Sequence, residues 1–206
     1  MTTPAMTMPA SGRKTEITRA DILPLDQYGR ERAARRKALV AVKKNRRVPV
    51  GPYATFYFES YDTMWQQIHE MLFIEKGGEA QIADELRAYN PLIPKGRELV
   101  ATVMFEIDDP ARRARELGRL GGVEEAMALR FAGHSVAGRP EGDVERTNAD
   151  GKTSSVHFLH FDFTPEQAAA FRTPGTEVTV GIHHPNYGHM AVMPEAVRME
   201  LAGDFA

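Results

Sequence analysis

The sequence predicts an α+β fold: a mainly antiparallel sheet or partly open barrel, with helices concentrated in the N-terminal half. Two observations carry this. Helical spacing of apolar residues dominates before residue 120, and two-residue alternation dominates after residue 125. The two patterns occupy separate halves instead of alternating, which argues against a doubly wound α/β sheet. The chain has 206 residues, 42% of them hydrophobic, enough to bury one substantial core. A single domain over residues 15–206 is expected. Residues 1–14, rich in Thr, Pro, Ala and Ser, are read as a disordered leader.

Thr18 and Asp21 suit a short helical turn, and Pro24 restarts the chain. From residue 25 to about 45 no proline interrupts a stretch rich in Arg, Ala and Lys, so a long helix is expected. The β-branched and aromatic run from residue 53 to 58 predicts a strand whose prolines stay at its entry. Asp62 is the expected cap of the next helix, in which Met64, Ile68, Met71 and Leu72 share a face. Gly77 and Gly78 are its expected stop.

A shorter helix follows from 79 to 89, with Ile82, Leu86 and Tyr89 on one stripe, and ends at Asn90-Pro91 because proline disfavours helical geometry in the preceding residue. Leu99, Ala101, Val103, Phe105 and Ile107 alternate as a strand. Asp109 and Pro110 supply the cap and first-turn proline of another helix, expected to run to Gly121-Gly122. A strand over 126–132 precedes a loop excursion or long hairpin end at 138–152, with His134 read as a loop residue. A strand over 155–163 follows. Thr164-Pro-Glu-Gln167 is a capping box opening a short helix. Residues 177–184 and 189–193 suit a hairpin, and Val197, Met199 and Leu201 alternate as a final strand.

Composition narrows the chemistry. The absence of cysteine excludes disulfides, thiolate zinc sites, cysteine-held iron–sulfur clusters and a cysteine nucleophile, so any metal sits on nitrogen and oxygen. A formal net charge of -2 gives no global field toward nucleic acid or anionic membranes. The sequence contains no apolar run long enough to span a bilayer, and a cytoplasmic location is expected. Dinucleotide, phosphate-loop, nucleophile-elbow and helical metalloprotease motifs are missing.

The strongest chemical signal is histidine. Five of the seven, His157, His160, His183, His184 and His189, lie in the last quarter of the chain. Imidazole is the commonest metal ligand, so a transition metal, iron or zinc, is the leading expectation. Strand periodicity puts His157 and His160 on opposite faces, and likewise His183 and His184. With residues 185–188 as a four-residue turn, His184 and His189 face each other, Cβ atoms roughly 4.5–5.5 Å apart. His160 is the favoured third ligand, with His157 and His183 as alternates and Glu59, Asp162 or Glu106 as carboxylate partner. A third reading is an enzyme using histidine and Tyr187 as acid/base groups.

His69 lies beside the apolar stripe of its helix and is read as a hydrogen-bonded boundary residue. The competing functional signal is charge. Arg30, Arg32, Arg35, Arg36, Lys37, Lys43, Lys44, Arg46 and Arg47 stand against only Glu31, a face suited to an acidic protein, RNA or a phosphate-bearing ligand, or simply to water. Without interleaved aromatics, nucleic acid is the weaker option.

The segments Gly51-Pro-Tyr-Ala-Thr-Phe-Tyr-Phe-Glu59, Gln66-Gln-Ile-His-Glu-Met-Leu-Phe-Ile-Glu75, Glu85-Leu-Arg-Ala-Tyr-Asn-Pro-Leu-Ile-Pro94 and Glu98-Leu-Val-Ala-Thr102 are distinctive. Through them residues 16–203 resemble a bacterial family of proteins of about this length, a domain of unknown function. The resemblance implies genomic company: a rubrerythrin-like diiron protein and an iron–sulfur oxidoreductase. It thereby implies a redox, iron or oxidative-stress setting with such proteins as partners. It transfers no catalytic residue.

Overall fold

The computed structural model describes residues 14–142 and 152–206. The expected leader lies outside them except for Lys14, whose ammonium pairs with Asp21. The strands β1 (Arg47–Val50), β2 (Ala54–Phe58), β3 (Glu98–Phe105), β4 (Met127–Phe131), β5 (His134–Pro140), β6 (Val156–Asp162), β7 (Val178–His184) and β8 (Tyr187–Val192) form one antiparallel sheet. Its order is β1-β2-β3-β6-β5-β4-β7-β8, and it curls until β1 approaches β8. The predicted α+β class with a partly open barrel is what forms.

A hydroxyl clasps the seam. Tyr187 on β8 donates to the Val50 carbonyl at 2.8 Å and accepts from the amides of Tyr53 and Ala54 at 3.2 and 3.0 Å, joining β8 to the β1–β2 turn. Inside the barrel, alternate residues of the strands pack as one core, including Phe56, Phe58, Leu99, Val103, Leu129, Phe161, Val180 and Ile182. Period-two alternation put these side chains on one face, and closure of the sheet turned that face inward.

The helices are α1 (Leu25–Lys44), α2 (Tyr61–Glu75), α3 (Gly78–Tyr89), α4 (Pro110–Leu117), α5 (Pro165–Arg172) and α6 (Glu195–Ala202). A second core, with Ile17, Met64, Ile68, Leu72, Leu92 and Val100, lies between α2 and the outer face of β3. There the N-terminal segment is tied down by side chains: Asn90 exchanges two hydrogen bonds with the Ile17 backbone, and the Trp65 indole donates to Asp21. His69 is hydrogen-bonded as expected, but it is fully buried instead of lying at the boundary. One ring nitrogen accepts from the Leu23 amide and the other meets the Trp65 carbonyl, and burial holds its pKa down.

Several local readings are corrected. Ser60, not Asp62, caps α2, because its hydroxyl accepts from the Thr63 amide. The helix ends on Lys76 in left-handed geometry, ahead of the glycines. α4 stops at Gly118, before Gly121. β1 was masked by Pro49, which an edge strand tolerates. β5 begins at His134 and runs through Gly138, so the excursion is shorter; its residues 143–151 lie outside the described ones.

The last element is a helix, not a strand. Val197 and Leu201 are four apart as well as in alternating register, and Pro194 starts the turn that buries both. Arg198 between them is buried too, donating to the Phe171 carbonyl at 2.6 Å.

Candidate functional site

The histidines are dispersed. β7 and β8 join through a two-residue turn, Pro185 and Asn186, so His184 stands opposite Tyr187 and His189 opposite Ile182. The expected pairing of His184 with His189 is therefore corrected by a shift of register. Residues 187 and 188 belong to the strand because Tyr187 is drawn inward to its seam bonds. His184 caps its own turn, accepting from the Asn186 amide and meeting the Gly121 carbonyl. His189 packs against the Tyr187 ring and over Gly51, where a Cβ would lie 2.6 Å from its Cγ. His183 is exposed on the other face.

The anticipated third ligand is also distant in topology. β5 and β4 separate β6 from β7, so His157 and His160 do not neighbour the hairpin. His157 points into the barrel, its ring edge-on to Phe105 and one nitrogen 2.9 Å from the Ser154 carbonyl. His160 faces outward, bracketed by Glu98 at 2.8 Å and Glu141 at 3.5 Å. Hydrogen bonds to Glu141 and Glu98 outweigh its burial and raise its pKa to about 9. A metal ion at His160 competes with the proton that these two carboxylates favour.

Of the proposed carboxylates, Asp162 pairs with Arg139 and Glu106 accepts from Thr55 and Tyr57. Glu59 directly follows β2, which pairs with β1 and β3, neither of which carries a histidine. Among the described residues no three of His, Asp and Glu lie close enough to hold a metal ion. Tyr187, the acid/base alternative, has its hydroxyl committed to three backbone groups, and burial pushes its pKa up.

The basic segment is organised differently from its composition. Four of its nine cations are consumed internally: Arg30 by Asp26, Arg32 by Glu70, Arg35 by Glu31, and Arg46 by Asp204 and Glu200. Arg46 is 2% exposed and also donates to the carbonyls of Phe58 and Glu59, so it is a core tie and not part of a solvated face. Its acidic partners lie more than 150 positions away, which is why no local pattern revealed them.

Arg36, Lys37, Lys43, Lys44 and Arg47 remain exposed and make no ion pair among the described residues. On α1 the side toward α2 holds Tyr28, Arg32, Arg35 and Glu31. The opposite stripe carries Ala33, Lys37, Val40, Ala41 and Lys44 at helical spacing, all exposed, and Arg36 and Lys43 lie between the two sides. Tyr28 is the only fully buried residue of this 20-residue helix. Its contacts to α2 are directional: the Tyr28 hydroxyl donates to Glu70 at 2.6 Å, Arg32 forks the same carboxylate, and Arg32 and Arg35 lie over Phe73 and Trp65.

No helix among the described residues is long and apolar enough to cross a membrane. No curated protein matches the chain. A crystal structure of a novel protein of unknown function from Burkholderia pseudomallei K96243 is similar at 36% identity with a TM-score of 0.85, covering 92% of this chain and 99% of that one. A family model described as protein of unknown function (DUF3501) matches residues 16–205, nearly the whole chain, and the protein belongs to that family.

Proposed function

We propose that this protein is a binding module that docks an acidic protein partner along the exposed face of α1. The carrying observation is the division of charge on that helix. Arg32 and Arg35, which face α2, are ion-paired, whereas Arg36, Lys37, Lys43 and Lys44 make no ion pair among the described residues. Between these cations lie Ala33, Val40 and Ala41, short side chains that let another backbone approach while the cations meet its carboxylates at the rim.

A protein suits this face better than RNA. The aromatic rings nearest α1, Trp65 and Phe73, are already covered by Arg35 and Arg32, so they present no surface for stacking bases. The redox or oxidative-stress setting implied by the family resemblance then belongs to the partner. Its rubrerythrin-like neighbour is the first candidate and the iron–sulfur oxidoreductase the second.

The test is a calorimetric titration of each purified neighbour into the full chain and into a variant with Arg36→Glu, Lys37→Glu and Lys44→Glu. We expect the charge reversals to weaken binding by about tenfold or more, and binding of the unaltered chain to weaken as salt rises. Binding that ignores both the reversals and salt overturns the proposal. So does equal or tighter binding of a single-stranded RNA to the same face.

A further inference from the structure

A cleft of about 340 Å3 lies between the outer face of β2, β3 and β6 and the layer formed by α2 and α3. Glu59 stands at its polar end and is only 8% exposed. One carboxylate oxygen accepts from the Thr102 hydroxyl and the other from the Thr63 hydroxyl, both at 2.6 Å. Among the described residues no cation pairs with this carboxylate. Two cations share the lining: Arg46 donates to the Glu59 backbone carbonyl and its charge is answered by Asp204 and Glu200, and Lys43 is exposed to water and makes no ion pair with Glu59.

The rest of the lining is largely apolar: Met64, Leu92, Met104 and Phe158 form the walls. The Tyr57 hydroxyl, also in the lining, is occupied by Glu106. A carboxylate withdrawn from water costs free energy that hydrogen bonds and an opposite charge offset. The two hydroxyls and the N-terminus of α2, which begins two residues later, supply part of that compensation. Each carboxylate oxygen accepts more than one hydrogen bond, so acceptor capacity remains. The cleft volume falls within the roughly 300–1,000 Å3 of small-molecule sites.

We infer that this cleft binds a small organic amine, with its ammonium on Glu59 and its apolar body against Met64, Leu92, Met104 and Phe158. Lys43 belongs to both the cleft lining and the docking helix, but the charge reversals that test docking leave it in place, so either reading can fail without the other. Charge selects the amine class: a neutral molecule leaves Glu59 uncompensated, and an anion meets it with like charge.

Phenethylamine, neutral 2-phenylethanol and anionic 3-phenylpropionate are the probes, titrated separately into the full chain and followed by NMR. The amine is expected to bind below about 10 mM, and about tenfold or more tighter than either of the others. Glu59→Gln removes that preference. Met104→Trp, a substitution at a partly exposed wall position, fills the cleft and abolishes amine binding while the chain stays folded. Equal affinity for the three probes, no amine binding at about 10 mM, or amine binding unchanged in Met104→Trp overturns the inference. If Glu59→Gln does not fold, probe selectivity in the unaltered chain and the Met104 variant decide.

Discussion

Helices α1 and α2 lie side by side and differ in what holds them. α2 buries Thr63, Met64, Gln66, Ile68, His69 and Leu72, whereas α1 buries Tyr28 alone. α2 is held mainly by packing, in a core it shares with the outer face of the sheet. α1 is held mainly by a few polar anchors: Tyr28 and Arg32 on Glu70, and Arg46 just beyond its end on Asp204. An element held by anchors on one side keeps the other side free for a partner. Of the cations left unpaired on α1, Lys37 and Lys44 lie on that free side.

The largest contrast comes from shaving each helix. Ile68 is 0% exposed and Val40 68%. Ile68→Ala is expected to cost about 2–5 kcal/mol in denaturant unfolding, and Val40→Ala less than about 0.5 kcal/mol. Comparable losses would mean that α1 packs as α2 does, and would break the comparison.

Titration separates the α1–α2 seam from the sheet. Hydrogen bonding to Arg32 lowers the Glu70 pKa from 4.5 to about 2. Its contribution is complete above pH 4.5 and disappears as pH falls through about 2. His160 behaves in the opposite sense. Its pKa is raised from 6.5 to about 9, so its contribution is complete below pH 6.5 and is lost as pH rises through about 9. Each is worth on the order of 2 kcal/mol. His160→Gln should flatten the alkaline limb of a stability profile and leave the acid limb unchanged. Glu70→Gln should do the reverse. An alkaline limb that persists in His160→Gln places the titrating group elsewhere.

A smaller effect sharpens the seam itself. Tyr28→Phe keeps the ring packed against Trp65 and Phe73 but removes the hydroxyl that Glu70 and Gln66 share. A loss of about 1 kcal/mol is expected in chemical denaturation. The smallest effect is expected on the free face, where Lys37→Glu changes stability by less than about 0.5 kcal/mol. A large loss there would show that Lys37 holds the fold and is not available to a partner.

Most elements were legible from sequence because their signals are local. Thr164 and Gln167 announce α5, Asp109 and Pro110 announce α4, and alternation announces β3 and β6. The failures arise where one pattern serves two structures. Val197, Met199 and Leu201 fit a strand by alternation, yet residues 197 and 201 also fit a helix, and the core beneath them favours the helix. The hairpin failed by two residues of turn length, which was enough to send His184 and His189 to different partners. For Glu59 the sequence singled out the residue but not its surroundings, since the Thr102 hydroxyl arrives from 43 positions away.

The sequence by itself determined the α+β class, the cysteine-free chemistry, the order of most elements and the surplus of positive charge between residues 30 and 47. Each depends on composition or on periods of two and 3.6 residues, which a linear chain displays directly. Tertiary structure alone decided which charges are spent and which side chains meet. It buried Arg46 against the C-terminal Asp204, bracketed His160 with Glu98 and Glu141, separated β6 from the histidine hairpin by two strands, and left one side of α1 open. The physical reason is range: propensity and patterning act over a few residues, whereas strand order and ion pairing act across the closed sheet.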